Sequence, residues 1–321
     1  MTFLPTLKQL QYLVALHQSG HFGRAAAASF VTQSTLSAGL RELETLLGVT
    51  LVERTRRVVR FTPLGERVVA KAYVVLREAD ELAELARSAS KPLGGELRLG
   101  VIPTIAPFLL PRLLPRLREA YPDLKLFLRE ETSGAACEAL ARGQLDCVLL
   151  ALPWGCGDVA TKRLFDDPFY LAFHPADFAD PPLRFLPAAI DTARLLLLED
   201  GHCLKDHALA ACGRPDLRPD AAILGTSLHT LVQMVANRLG LTLVPKMAID
   251  AGILLNTPVL ARPVEGDHAS REIALAWRAS SPRAAEFELL GEALMAAGAV
   301  PVDTPPAPAR VPPKPALGAV S

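Results

Sequence analysis

Cysteine is scarce in this sequence, with five residues in 321, and the number is odd. That excludes the dense disulfide framework of a small secreted domain; reduced thiols are expected, and any disulfide should be transient, catalytic or sensory. Aromatic residues amount to 6% although half of the chain is apolar, which is the composition of a globular protein. No stretch of eighteen apolar residues occurs, so no membrane span is expected. The N-terminal MTFLPTLKQLQYLVALHQSG lacks the basic start and small-residue cleavage site of a signal peptide, which makes the cytoplasm the expected compartment. A glycine-rich phosphate loop, a nucleophile elbow and HExxH are all missing, so neither an enzyme nor a cofactor is indicated. A net charge of zero argues against nucleic-acid binding along the whole length.

The charge is unevenly placed. Residues 1–71 hold nine Lys/Arg against four acids, a net of +5, and the remainder carries the balancing −5. Within this basic segment LKQLQYLVALHQSG places leucines on one helical face and ends at Gly20. FGRAAAASF reads as a second helix, and TQSTLSAGLRELETLLG as a third, with Thr32 as N-cap, leucines at 36, 40, 43 and 47, and Gly48 as its end. Two helices joined by a short turn form the helix-turn-helix pattern. Thr32, Gln33, Ser34, Thr35 and Ser37 would then face base edges in a major groove, with Arg41 on the same helix. VTLVERTRRVVRF suits a two-stranded wing whose Arg54, Arg56 and Arg57 would hold phosphates or reach the minor groove.

Thr62 before Pro63 opens a helix running to about Ser88, in which Val68, Ala72, Val75, Ala79, Leu82 and Ala86 alternate steps of four and three. A dimerising linker helix over 61–89 is the economical reading. After SASKPLGG, strand and helix segments alternate, from ELRLGVI and PFLLPRLLPRLREAYP through LDCVLLAL to REIALAWRA and AAEFELLGEALMAAG, and predict a parallel α/β sheet over 95–299. The Pro/Ala-rich tail, 300–321, has too few bulky apolar residues to fold.

The stretch AAAASFVTQSTLSAGLRELETLLGVTLVERTRRVVRFTPLGE resembles the winged helix-turn-helix of LysR-type transcriptional regulators, with Ser34 standing where most members carry proline. The resemblance implies an α/β fold made of a DNA-binding domain (1–60), the linker helix, and a regulatory domain like a periplasmic solute-binding protein. Its first subdomain would span about 95–166 and 269–299, and its second about 167–268. It also implies double-stranded promoter DNA and RNA polymerase as partners, with Asp146 at a position linked to polymerase contact, and self-assembly into homodimers and homotetramers.

GVIPTIAPFLLP, QLDCVLLALP, LLLLEDGHCLKDHALAAC, TSLHTLVQMVA and TLVP resemble, more narrowly, the hydrogen-peroxide-sensing OxyR subgroup. That resemblance implies control of oxidative-stress defence genes, Cys203 as the peroxidatic thiol, Cys212 as the resolving one, and a reductant such as glutaredoxin or thioredoxin. It places peroxide beside Thr104 and a hydroxyl from Ser133 or the adjacent Thr132, with His202 and Arg271 nearby. Lys205, a protonated histidine or a helix N-terminus would lower the pKa of Cys203.

Read without the resemblance, the Cys203–Cys212 spacing carries a constraint of its own. On one continuous helix nine residues rise about 13 Å, far beyond the Cα separation of about 4.4–6.8 Å that a disulfide tolerates. Bonding would force a rearrangement, as a switch requires. His202, Cys203, His207 and Cys212 also offer two imidazoles and two thiols, but match no standard zinc spacing. A metabolite-responsive regulator with incidental cysteines is the alternative. Cys137 and Cys147 read as small apolar residues of a helix and a strand, Cys156 as a thiol of an exposed loop, Trp154 and Trp277 as core residues, and His229 as part of a solvated face.

Overall fold

The computed structural model describes residues 4–54, 59–88, 92–216 and 224–298. Arg56 and Arg57 of the wing, the side chains of Arg54 and of Ala86 of the seam, and the tail lie outside what is described. The N-terminal elements are α1 (Leu7–Ser19), α2 (Phe22–Ala28), α3 (Gln33–Leu47), the strands β1 (Val52–Arg54) and β2 (Val59–Phe61), and α4 (Pro63–Ser88). Their ends follow from capping. The Thr6 hydroxyl accepts from the Gln9 amide while the Gln9 side chain returns to the Thr6 amide, and Thr32 accepts from the Thr35 amide. Gly20 and Gly48 close α1 and α3 at φ 59° and 66°.

Leu10, Leu13, Leu16, Leu36, Leu40, Leu43 and Leu51 form a core of their own, joined by Val69 and Ala72 of α4. The Glu44 carboxylate accepts from the Leu51 and Val52 amides and ties α3 to the wing. A side chain at Gly65 would stand 2.2 Å from the Leu51 carbonyl, so α4 can begin this close to the wing only with glycine there. The expected helical seam is therefore divided: Val68 and Ala72 pack inward on the N-terminal core, whereas Val75 and Leu82 are exposed.

The body contains β3 (Glu96–Val101), α5 (Ala106–Ala120), β4 (Lys125–Glu130), α6 (Ser133–Ala141), β5 (Cys147–Leu152), β6 (Val159–Phe173), β7 (Leu197–Leu198), α7 (Cys203–Ala211), β8 (Leu224–Gly225), α8 (Leu228–Ala236), β9 (Thr242–Pro245), α9 (Lys246–Asp250), β10 (Leu260–Pro263), β11 (Ser270–Arg278) and α10 (Ala284–Gly298). The expected wholly parallel sheet is corrected. β3 pairs in parallel with β4 and β5, but β11 runs antiparallel to β5 and β6, and β9 and β10 run antiparallel to β6.

The 15-residue β6 exceeds the strand expected at its C-terminal end, because its first half alternates with charges and ends at Pro168. That proline marks a change of partners. Ser270 of β11 pairs with Pro168, and from Phe169 and Tyr170 onward the ladder passes to β9 and β10. A residue without an N–H fits where the ladder changes. Both ends of the sheet share one core, from Leu93 and Leu97 to Leu290 and Leu294. Among the described residues no helix is long and apolar enough to cross a membrane.

Candidate functional site

At the N-terminal end, α3 presents Thr32, Gln33, Ser34, Thr35 and Arg41 to solvent, with Ser37 half-buried. The Thr32 hydroxyl lies 2.8 Å from both the Ser34 and Thr35 hydroxyls, so the cap at the helix start is built from hydroxyls, with no proline at residue 34. This is a polar helix end projecting from a buried leucine face, the geometry by which a helix enters a groove.

The second site lies in the body. α7 is one unbroken helix, with Cys203 as its first residue and Cys212 as its C-cap. Both thiols are free and buried. Nine helical residues hold them about 13 Å apart, so the resting fold forbids the bond.

Cys203 sits beside polar groups supplied by α6, β6, β11 and the turn before α5. Its amide donates to the Ser133 hydroxyl of α6 at 3.3 Å. Arg271 of β11, 1% exposed, donates to the Thr104 hydroxyl at 2.8 Å and to the Thr104 carbonyl at 2.9 Å. Through Nε and Nη2 it also reaches one oxygen of Asp167, at 3.1 and 2.9 Å, and the other Asp167 oxygen accepts from the Met247 amide. Thr104, Ser133, Arg271 and Cys203 are thus brought together. Of the two neighbouring hydroxyls, that of Ser133 faces Cys203, whereas Thr132 packs near Gly201, where a Cβ would stand 3.5 Å from the Thr132 hydroxyl.

Electrostatics at Cys203 differ from expectation. Burial pushes its pKa up, opposed by the Arg271 cation and by hydrogen bonds with the Ser133 side chain and the Ala151 backbone, and burial wins. Lys205 does not serve as the expected activator, since its ammonium is paired with Asp200. Burial pushes His202 down, toward the neutral imidazole, so this side chain, which precedes α7 as its N-cap, is not the expected cation either. Burial likewise raises Cys212, to about 11, and lowers His207, whose Nε2 meets the Pro153 carbonyl at 3.0 Å.

The remaining cysteines require a correction. Cys147 is a buried free thiol of β5, as expected, but Cys137 and Cys156 form a disulfide with Cα atoms 5.1 Å apart. Cys156 is buried rather than exposed. The pairing joins a helix to a loop, and nothing in either local sequence announces it.

Asp167, the partner of Arg271, gives little signal in the sequence, where it is one of two adjacent acids, Asp166 and Asp167, ahead of a strand proline. His229 is more than a solvated residue, because its ring stacks on Phe108 of α5 with centroids 5.6 Å apart. Asp146 turns inward, accepting from the Arg98 amide at 2.7 Å and pairing with Arg283 at 3.4 Å. Trp277 is buried against Phe287. Among the described residues no group of three or more His, Cys, Asp and Glu could hold a metal ion.

Residues 7–66 match the bacterial regulatory helix-turn-helix protein model of the lysR family, and residues 90–299 match the LysR substrate binding domain. The chain is 45% identical to the HTH-type transcriptional regulator EstR of Acinetobacter baylyi, covering 90% of this chain and 96% of that one. It is 39% identical to the DNA-binding transcriptional dual regulator OxyR of Escherichia coli K12, covering 90% and 95%. The structure of a full-length OxyR from Pseudomonas aeruginosa, a variant with one cysteine replaced by aspartate, superposes with a TM-score of 0.74 at 36% identity, covering 91% and 95%. That of a cysteine-to-serine mutant of Corynebacterium glutamicum OxyR, bound to H2O2, gives 0.61 at 35%, covering 93% and 94%.

Proposed function

The chain belongs to the LysR family of bacterial helix-turn-helix regulators, and from that premise we propose that it is a DNA-binding transcriptional regulator switched on by hydrogen peroxide through a reversible Cys203–Cys212 disulfide. The observation that carries this reading is the placement of Cys203. It is a buried thiol beside Thr104, Ser133 and Arg271, with the second thiol at the far end of the same helix. Two relatives named hydrogen peroxide-inducible genes activators, from Dickeya chrysanthemi and Haemophilus influenzae, at 38% and 37% identity, support it.

The chemistry balances without a cofactor. The Cys203 sulfur, as thiolate, attacks one peroxide oxygen; the O–O bond breaks, hydroxide leaves and is protonated to water, and Cys203 becomes a sulfenic acid. The Cys212 sulfur then attacks that sulfur, the S–O bond breaks, a second water leaves and the disulfide forms. Two thiols have lost two electrons and two protons to one peroxide. Arg271 and the Thr104 and Ser133 hydroxyls hold the peroxide, and the guanidinium favours the thiolate that burial disfavours. A dithiol reductant such as thioredoxin or glutaredoxin returns the electrons.

Because α7 holds the thiols about 13 Å apart, closing the bond dismantles the helix and displaces what packs on it. The change alters packing between regulatory domains (95–299) and the spacing of DNA-binding domains (1–60) in a homotetramer built of dimers, each formed through the linker helix. The exposed Leu64, Val75 and Leu82 of α4 supply an apolar stripe for that pairing. Promoter occupancy and polymerase recruitment follow. Asp146 meets the polymerase only if its pairing with Arg283 opens.

A second reading, favoured by the 45% identity to a regulator whose name carries no oxidant, is a metabolite-responsive protein with incidental cysteines. Thiol labelling separates the two. Treatment with micromolar peroxide is expected to protect both Cys203 and Cys212 from alkylation; if both remain alkylatable, the peroxide switch is wrong and the second reading stands.

A further inference from the structure

Cys137 and Cys156 form a pair that the peroxide chemistry does not use. Cys137 lies one turn along α6 from Ser133, the residue whose hydroxyl receives the Cys203 amide. Cys156 lies in the loop between β5 and β6, three residues beyond Pro153, whose carbonyl meets His207 in the middle of α7. Two hydrogen-bonded anchors of α7, a helix that also packs on β5, β7 and β11, are therefore tied to each other by one covalent bond. Cys156 stands between exposed glycines at 155 and 157, the latter at φ 77°, and Cys137 and Cys156 keep 7% and 9% of their surface exposed.

We propose that Cys137 and Cys156 are a second thiol–disulfide site. It exchanges with small cellular disulfides and dithiols without refolding, and its oxidised form braces α7 and slows exposure of Cys203 and Cys212. A Cα separation of 5.1 Å already lies in the bonding range, so closing this bond needs no movement of the size that Cys203 and Cys212 require.

The exchange is balanced. One protein thiolate attacks a small disulfide and releases one small thiol; the second protein thiolate attacks the mixed disulfide and releases the other. Two electrons and two protons pass from the pair to the small disulfide, and excess dithiol reverses the sequence. The site thus reports the ratio of small thiols to disulfides, whereas the Cys203 pocket is built around a peroxide. This role of the brace deepens the function proposed above, but its test does not depend on peroxide.

The full-length protein carrying Cys203→Ser and Cys212→Ser is equilibrated in glutathione buffers of graded ratio, alkylated, digested and analysed by mass spectrometry. The linked 137–156 fraction should rise with the disulfide share and fall on addition of dithiothreitol, with unchanged circular dichroism. Two free thiols at every ratio would overturn the site, and so would a link that dithiothreitol cannot open in the folded protein. In the otherwise native chain without peroxide, iodoacetamide should label Cys203 several-fold more slowly when the 137–156 link is closed. The Cys156→Ala variant should show the fast rate at every ratio. Equal rates with the link open and closed would overturn the brace while leaving the peroxide switch untouched.

Discussion

Cys203 and Cys212 stand nine positions apart in sequence, and Cys137 and Cys156 nineteen, yet the second pair is bonded and the first is not. The difference lies in what separates the sulfurs. A single rigid helix fills the space between Cys203 and Cys212, with both thiols buried at its ends. Cys137 and Cys156 belong to separate elements, a helix and a loop, that packing brings side by side. Sequence separation is a poor guide to thiol distance. A short separation through a helix keeps thiols apart, and a long one through a turn of the fold joins them. The first arrangement couples oxidation to a change of shape, and the second does not.

The largest effect should come from removing one member of each pair. Cys203→Ser, like Cys212→Ser, is expected to abolish the peroxide-induced intramolecular disulfide completely, whereas Cys156→Ser should leave it intact. Non-reducing peptide mapping reads both outcomes. A new peroxide-dependent link from Cys212 to Cys137 or Cys156 in Cys203→Ser, or loss of the 203–212 link in Cys156→Ser, would merge the two pairs into one relay and erase the contrast.

Next is Arg271→Met, which leaves Asp167 buried beside Thr104 without its cation. Breaking a buried pair in this way costs about 3–5 kcal/mol, measurable by urea denaturation. The same variant should raise the Cys203 pKa further by removing the cation that opposes burial, while the 137–156 link persists.

The helix-turn-helix was readable because its determinants are local. Thr32, Gly20, Gly48 and the leucine spacing fix its helices within a few residues of where the sequence places them. The separation of Cys203 from Cys212 followed from the sequence only on the condition that one continuous helix joins them, and α7 meets that condition. The Cys137–Cys156 bond, the Asp167–Arg271 pair and the stacking of His229 on Phe108 were not, since each joins elements that only tertiary packing brings together. Pro168 hid the length of β6, because a proline inside a strand normally argues against one.

A pH series sharpens the contrast further. Burial raises the Cys203 pKa, so the thiolate is the minority form at neutral pH, and its share should grow about tenfold per unit until the raised pKa is reached. Stopped-flow reaction with peroxide should accelerate accordingly as the pH rises from neutral into the alkaline range; a flat profile would mean that Cys203 is already ionised at rest. The smallest expected change is Ser133→Ala. It deprives the Cys203 amide of its acceptor at a cost of about 1 kcal/mol, and slows the peroxide reaction without affecting disulfide exchange at 137–156. Ser133→Thr, which keeps a hydroxyl there, should restore the rate.

The central claim, that oxidation of α7 is read out at DNA, is tested most directly by footprinting the full-length protein on its own promoter region, reduced and peroxide-treated, beside Cys203→Ser. The expected result is a footprint whose extent changes on oxidation of the native chain and stays in its reduced form in the variant. Identical footprints for reduced and oxidised native protein, with the 203–212 disulfide verified in the oxidised sample, would contradict it.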